Sequence, residues 1–411
     1  MSKRCFFVFC LCTCLCGCNH NNLESSDLIT IDAYKNYPKL DLKLSEIADV
    51  SYIPLKTDDV LMSDRSMTRR IFVHKDKIYI GDYYPDNPKL VVFDRNGNLV
   101  QFVGSMGRGP GEYVSLHAFV VDTLTHEITI FDLRQLKFIV YNIDGKFLRE
   151  KNLKEIYHDQ KWIDAIEIIN DDNILAYNSR STEVSTADVR LEGMLVAKKG
   201  QVSTYGKTLL TIHKQTLLEN PFQGFEFAKP ATARLFTILY PLTTQRDGVY
   251  ISSDRSDTIY FMNRNLEIIP KFRDVTDYKR KYGGRISPAA ETERYIFFIT
   301  NGASPPLYVD KSKDAPVVRK FIVYDKELEK VFLLNNSLTE KYVDDDTQMA
   351  MLNDQIAFNQ YSLTLNHNYA ITSLSPRLLI EHYNQLPEAL KEIAKGIRED
   401  DNPVLMLMKL R

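Results

Sequence analysis

After position 18 the sequence contains no cysteine. A chain matured at that point can form no internal disulfide, build no cysteine-ligated zinc site and use no cysteine nucleophile other than Cys18 itself. Histidine is sparse, at 20, 74, 117, 126, 158, 213, 367 and 382. None forms His-x-His or His-Glu-x-x-His, so any metal site has to be assembled from distant segments. There is no Gly-x-Ser-x-Gly elbow and no Asp-x-Asp-x-Asx-Gly calcium loop. No long run carries one sign of charge; Asp344-Asp345-Asp346 is expected to be a solvated loop. Tryptophan occurs once, at Trp162, and a lone Trp is expected in the core rather than in a sugar-stacking site.

What is present starts at the N-terminus. Lys3-Arg4 precede an apolar run from Cys5 to Gly17 that holds five of the six cysteines. At about 13 residues the run is too short to span a bilayer, which takes about 20. Basic start, apolar middle and small residue before the cut make residues 1–17 a signal peptide. Leu15-Cys16-Gly17-Cys18 resembles a bacterial lipobox, which implies cleavage before Cys18 and acylation of its thiol; Cys16 is unusual at its position. Two or three acyl chains, at about 0.8 kcal/mol per buried methylene, hold a protein firmly on a bilayer. Asn19 rather than Asp follows the lipidated residue, so an outer-membrane anchor is expected, its periplasmic or surface side left open. Removing Lys3 and Arg4 lowers 52 basic residues to 50 against 54 acidic, a net charge of −4, which excludes a strongly basic nucleic-acid binder.

Residues 18–40, polar from Asn19 to Asn36, are expected to be the lipidated N-terminus and tether, and 41–411 the folded domain. That domain reads as all-β. Short runs rich in Val, Ile, Tyr and Phe are bounded by Asp, Asn and Gly. Lys77-Ile-Tyr-Ile-Gly-Asp82 followed by Leu90-Val-Val-Phe-Asp-Arg-Asn-Gly-Asn-Leu99 matches Glu127-Ile-Thr-Ile-Phe-Asp132 followed by Phe138-Ile-Val-Tyr-Asn-Ile-Asp-Gly-Lys-Phe147. Each reads strand, Asp turn, strand, tight turn, strand. Asn96-Gly97 and Asp144-Gly145 are hairpin signals, because Asn and Gly tolerate positive φ. Weaker copies lie at Gly248–Asp254 with Thr258–Asn263, at Lys320–Asp325 with Lys330–Leu334, and at Ile163–Ile169 with Asn173–Tyr177. A repeat of roughly 45–65 residues with about four strands is a propeller pattern. About five repeats are legible. Pairing Val50–Leu55 with Val404–Leu410 would close the ring and remove its exposed edges. Leu386, Leu390, Ile393 and Ile397 are spaced for a short accessory C-terminal helix, with Pro387 in its first turn. Segments 181–240, 271–294 and 301–317 interrupt the repeat and are expected to be long loops on one face.

Gly107-Arg-Gly-Pro-Gly-Glu-Tyr113, Tyr52-Ile-Pro-Leu55 and the ending Asp401-Asn-Pro-Val-Leu405 are similar to the six-bladed β-propeller lipoproteins of Gram-negative gut anaerobes, related in architecture to NHL-repeat proteins. The resemblance runs from about residue 40 to the C-terminus. It implies six four-stranded blades and transfers no catalytic residue.

The Gly104–Gly111 stretch lacks the Gly-Lys-Ser/Thr of a phosphate loop and no helical pattern follows it, so an irregular connection is expected. Arg108 and Glu112 are the residues expected to face the channel, as a buried ion pair if they meet. Asp82, Asp132 and Asp254 recur with the repeat and are expected to form Asx-turns rather than a catalytic set. No catalytic residue, metal ligand or cofactor is expected. Two functions fit: a binding module for a glycan, a peptide or an envelope protein partner, with the membrane reached through the lipid; or a metal-dependent lactonase-, lyase- or hydrolase-like enzyme at the channel mouth. A convergent cluster of Glu, Asp, Asn or His from several blades separates them.

Overall fold

The computed structural model of the chain describes residues 28–411 apart from 34, 59, 63–70, 83–86, 154–164, 170–172, 179–187, 198–201, 205–207, 214–241, 246, 253–256, 277–285, 301–320, 336–343, 359–363 and 367. Cys18, Trp162 and Asp254 lie outside the described residues. Among the described residues the strands fall into six sheets of four or five strands and one two-stranded ribbon. The architecture is an all-β propeller.

Sheet 1 is Ile71–His74, Lys77–Asp82, Lys89–Asp94 and Leu99–Val103. Sheet 2 is Ala118–Asp122, Glu127–Asp132, Lys137–Asn142 and Phe147–Asn152. Sheet 3 is Ala165–Ile168, Asn173–Asn178 and the long Asp188–Ala197, which pairs with both Val202–Thr204 and Thr208–His213. Sheet 4 is Leu242–Gln245, Gly248–Ile251, Thr258–Asn263 and Ile268–Asp274. Sheet 5 is Ile286–Glu291, Tyr295–Thr300, Phe321–Asp325 and Lys330–Leu334. Sheet 6 is Thr364–Asn366, Tyr369–Leu374, Val404–Leu410 and, from the N-terminal end of the chain, Ala48–Pro54.

The last pairing is the closure expected from sequence. Its register runs without a break from Val404↔Pro54 to Leu410↔Ala48. The first strands touch in succession from sheet 1 through sheet 5, and that of sheet 6 touches sheet 1. The core is not one central mass but a chain of clusters between sheets. Ile371, Leu405 and Leu407 of sheet 6 meet Ile71, Ile80 and Phe93 of sheet 1. Sheets 1, 2 and 3 share Tyr79, Phe119, Ile130 and Ile166. Further clusters join sheets 3 and 4, 4 and 5, and 5 and 6. Middle strands are therefore covered on both faces and read as continuous apolar runs, whereas the outer strand Phe147–Asn152 alternates half-buried and exposed.

Three expectations shift. Residues 28–40, read as tether, contribute strands: Ile29–Ile31 adds in parallel to Phe272–Asp274 of sheet 4, and Lys39–Leu40 to Leu333–Leu334 of sheet 5. The polar composition there conceals the alternation of Ile29 and Ile31, of which Ile31 is buried against sheet 4. The interruptions at 181–240 and 271–294 contain strands of sheets 3, 4 and 5; residues 188–192 alternate polar and apolar side chains, a strand pattern without the Asp-bounded apolar runs of the repeat. The Asp344–Asp346 run opens a helix, Asp344–Leu352, where carboxylates favour the positive end of the helix dipole.

The C-terminal helical region comprises Pro376–Glu381, a single 3₁₀ turn and Glu388–Ala394. Ser375 caps the first helix, accepting from the Leu378 N–H at 3.2 Å. Leu378, Leu379, Leu386 and Leu390 are buried against sheets 5 and 6. Among the described residues no helix is long and apolar enough to cross a membrane.

Gly97 ties sheet 1 to the closing strand. It has φ +79°, and a Cβ there would lie 1.8 Å from the Pro54 carbonyl oxygen; its own carbonyl accepts from the Lys56 N–H at 2.8 Å. Gly97→Ala is expected to destabilise the fold by about 3 kcal/mol, combining left-handed backbone strain with overpacking. Gly396→Ala, which meets nothing within 4 Å, is expected to stay within about 0.5 kcal/mol of the parent. Urea denaturation of both variants checks the contrast.

Candidate functional site

Strand order divides the connections between the two sides of the ring. First-to-second and third-to-fourth strand turns lie on one side and are short, as at 75–76, 95–98, 123–126, 143–146, 264–267 and 326–329. Second-to-third connections and those between sheets leave from the opposite strand ends; among the described residues these include the long connections 104–117 and 375–403 and the short one 133–136. The short side is built for rigidity. Asp94, Asn142 and Asn263 each accept backbone N–H groups two and four residues on, the Asx geometry that fixes a tight turn.

On the long side the best-defined stretch is 104–117, between sheets 1 and 2. Ser105–Met106 pairs in parallel with Glu112–Tyr113. The Tyr113 hydroxyl donates to the Val103 carbonyl at 3.2 Å and accepts from the Leu90 N–H at 3.1 Å. The Tyr141 hydroxyl donates to the Gly111 carbonyl at 2.7 Å. Gln135 donates to the carbonyls of Gly107 and Glu112, both at 3.3 Å. Asp132 is the hub beneath them. It is fully buried and accepts from Ser115 Oγ at 2.6 Å, from the N–H groups of Val114, Arg134 and Gln135, and from Gln135 Nε2. Burial pushes the Asp132 carboxyl up, but the hydrogen bonds from Ser115, Val114 and Gln135 outweigh it and hold the group below the usual carboxylate range.

Glu112 turns back on its own loop. Its Oε2 accepts from the Gly109 N–H at 2.7 Å. A Cβ on Gly107 would lie 2.0 Å from that oxygen, so only glycine lets the carboxylate lie there. The carboxylate takes an N–H that a phosphate cradle would keep for its ligand. Arg108 forms no ion pair with Glu112 and stands exposed at the loop tip. Neither residue belongs to an inner strand. Asp82 is buried with Lys89 Nζ 3.8 Å away, and Lys89 also donates to the Leu61 carbonyl.

Asn402 explains the Asp401–Leu405 ending. Nearly fully buried, it accepts from the Met62 N–H at 2.8 Å and donates to the carbonyls of Lys56 and Val60 at 2.9 and 2.7 Å. It thereby fixes the connection from the closing strand into sheet 1. Among the described residues no group of three or more His, Cys, Asp or Glu could hold a metal ion. Sequence reasoning missed the role of Gln135, and it read Tyr141 and Asn402 only as parts of a repeat and of the ending, not as hydrogen-bonding residues. It also missed that His74 and His126 meet across sheets 1 and 2. The 50-residue offset between Asp82 and Asp132 nearly superposes those two turns and could have revealed it.

The fold and this surface define a β-propeller with one tightly bound side and one side of long connections. The model for a domain of unknown function, DUF4934, matches residues 28–409, and the chain belongs to that family. No curated protein matches the chain. A Bacteroides fragilis protein described as exported is similar in structure, with a TM-score of 0.60 and 19% identity, covering 93% of this chain and 99% of that one. A member of the DUF4221 family from Bacteroides vulgatus aligns with a TM-score of 0.42 and 13% identity, over 89% of this chain and 97% of that one.

Asp132→Asn sets an amide against the Val114 and Gln135 donors and is expected to cost about 3 kcal/mol at neutral pH. Because the folded carboxyl titrates below its unfolded value of about 3.9, its contribution is complete above that value and is lost as pH falls through the folded one. The variant should therefore lose less stability than the parent on acidification below about pH 4, as urea midpoints against pH will show.

Proposed function

We propose that the chain is a lipid-anchored, six-bladed, NHL-like propeller of the cell envelope that works as a binding module through its long-connection side. The observation that carries the reading is the contrast between the two sides of the ring. Short Asx-fixed turns hold one side, while the other gathers long connections on a scaffold stapled by Asp132, Tyr113, Tyr141 and Asn402. Binding surfaces on rigid folds are built in this way from loops. The six sheets serve as six blades, with clusters between neighbours and the N- and C-terminal strands sharing the last sheet.

At the loop tip Arg108 presents a planar fork of donors suited to the carboxylate or other anionic group of a glycan, peptide or envelope protein. The lipid on Cys18 would keep the propeller at the outer membrane, consistent with the leader and with an exported protein of similar fold.

Two measurements test this. Cys18→Ala is expected to abolish palmitate labelling and move the protein from the membrane to the soluble fraction; retention and labelling in the variant would refute the anchor. A thermal-shift screen against envelope glycans and peptides should give a ligand that raises the midpoint by a few degrees, since a ligand at about 100 times its Kd adds about 2.7 kcal/mol. Arg108→Ala should weaken that shift, and Lys75→Ala on the opposite side should not. Equal losses in both would refute the long side as the binding surface.

A further inference from the structure

We propose that His74 and His126 form a two-histidine site for a borderline divalent metal ion, Cu²⁺ or Zn²⁺, bridging sheets 1 and 2. It stands apart from the anchoring and binding proposed above. His74 ends the first strand of sheet 1, and His126 ends the first turn of sheet 2 with a left-handed φ of +58°. His74 Nε2 and His126 Nδ1 lie 3.2 Å apart. The ring centres are 5.2 Å apart with 36° between planes, so the rings meet apex to apex and are not stacked.

That separation, which is also that of a hydrogen bond between the two rings, matches two ligands of one metal ion. Two imidazole nitrogens on one tetrahedral zinc, each about 2.0–2.1 Å from it, lie about 3.3 Å apart. The donors therefore stand at coordinating distance before any ion arrives, held by two strand-and-turn frames. Both rings are half-buried, which leaves a solvent path for the ion and for the waters that complete its shell. Asp122, whose Oδ1 is fixed by the N–H groups of Leu124 and Thr125, and the exposed Asp76 bring negative charge towards His74, against the larger opposing effects of burial, His126 and Lys75.

Without metal, one facing nitrogen carries a proton and donates to the other. On binding, that proton passes through water to the far nitrogen of its own ring. Both facing lone pairs are then free for the ion, and the pair stays neutral overall. Imidazole nitrogen suits Cu²⁺ and Zn²⁺, and Cu²⁺ is expected to bind more tightly.

The test titrates the mature acylated protein in detergent with CuCl₂ or ZnCl₂ by calorimetry, and records the electron paramagnetic resonance spectrum of the Cu²⁺ form. One saturable ion per chain and hyperfine splitting from two imidazole nitrogens are expected. His74→Gln and His126→Gln should each weaken binding at least tenfold, while His382→Gln, on the C-terminal helical region, leaves it unchanged. Absence of saturable binding up to about 1 mM metal, splitting from a single nitrogen, or undiminished binding in both variants would overturn the site. Should either variant misfold, the spectrum of the parent protein decides alone.

Discussion

The pairing of Ala48–Pro54 with Val404–Leu410 is the constraint on which the remaining structure depends. Among the described residues every apolar cluster joins neighbouring sheets, and none is confined to a single sheet. Opening the ring between sheets 6 and 1 would strip one wall from the cluster of Leu405, Leu407, Ile71 and Phe93. Burial of such side chains stabilises by about 1.5–3 kcal/mol each, so one interface outweighs the net stability of a typical domain. Closure also converts the two strands most exposed to foreign pairing into partners. The N-terminal segment extends the effect: residues 29–54 supply strands to sheets 4, 5 and 6 in succession, binding half the circumference with one stretch of chain.

How much of this the sequence showed depended on how local the signal was. Lys77–Asp82 and Glu127–Asp132 were readable because the Asp-bounded apolar runs recur at nearly constant spacing, and a strand covered on both faces has no polar alternation to confuse. Of the closing strands, Val404–Leu410 was readable as an apolar run and Val50–Leu55 as a short β-favouring run, each near one end of the sequence. Ile29–Ile31 and Lys39–Leu40 were not, being short strands added to an existing edge, where two or three residues suffice. Sheet 3 was obscured because Asp188–Ala197 lacks the Asp-bounded apolar runs of the repeat. At the site, Asp132 was legible as a turn-former, but its larger role as acceptor for the 104–117 connection required Ser115, Val114 and Gln135 to arrive from other segments.

The turns that set register within a sheet also set its position against the preceding one. Arg95, beside the Asx turn at Asp94, donates to the Lys75 carbonyl and lies over the Tyr369 ring of sheet 6 at 5.5 Å. Arg264 holds the equivalent place in sheet 4 and donates to the carbonyls of Ile168 and Ile169 in sheet 3. Gln101 of sheet 1 reaches the Ile143 carbonyl in the matching turn of sheet 2. In the third of these turns the glycine position is taken by Leu266 at φ +68°, where Gly97 and Gly145 stand in the first two. A side chain there costs about 1–2 kcal/mol in backbone strain, partly offset because Leu266 packs against the cluster between sheets 3 and 4.

This division explains why the fold is easier to read than the chemistry. A catalytic motif is visible in sequence when one short segment supplies several of its groups. A ring of sheets gathers side chains from segments separated by a full repeat, so its sites leave no local spacing. His74 and His126 are 52 residues apart in the chain and 3.2 Å apart in space. Neither is unusual in its own segment, and only the superposition of repeats brings them together. The same holds for Asn402, which holds Lys56, Val60 and Met62 from the far end of the chain. In such a protein, repeat register rather than motif is the coordinate in which function is written: residues at matching positions in adjacent sheets are neighbours, whatever lies between them.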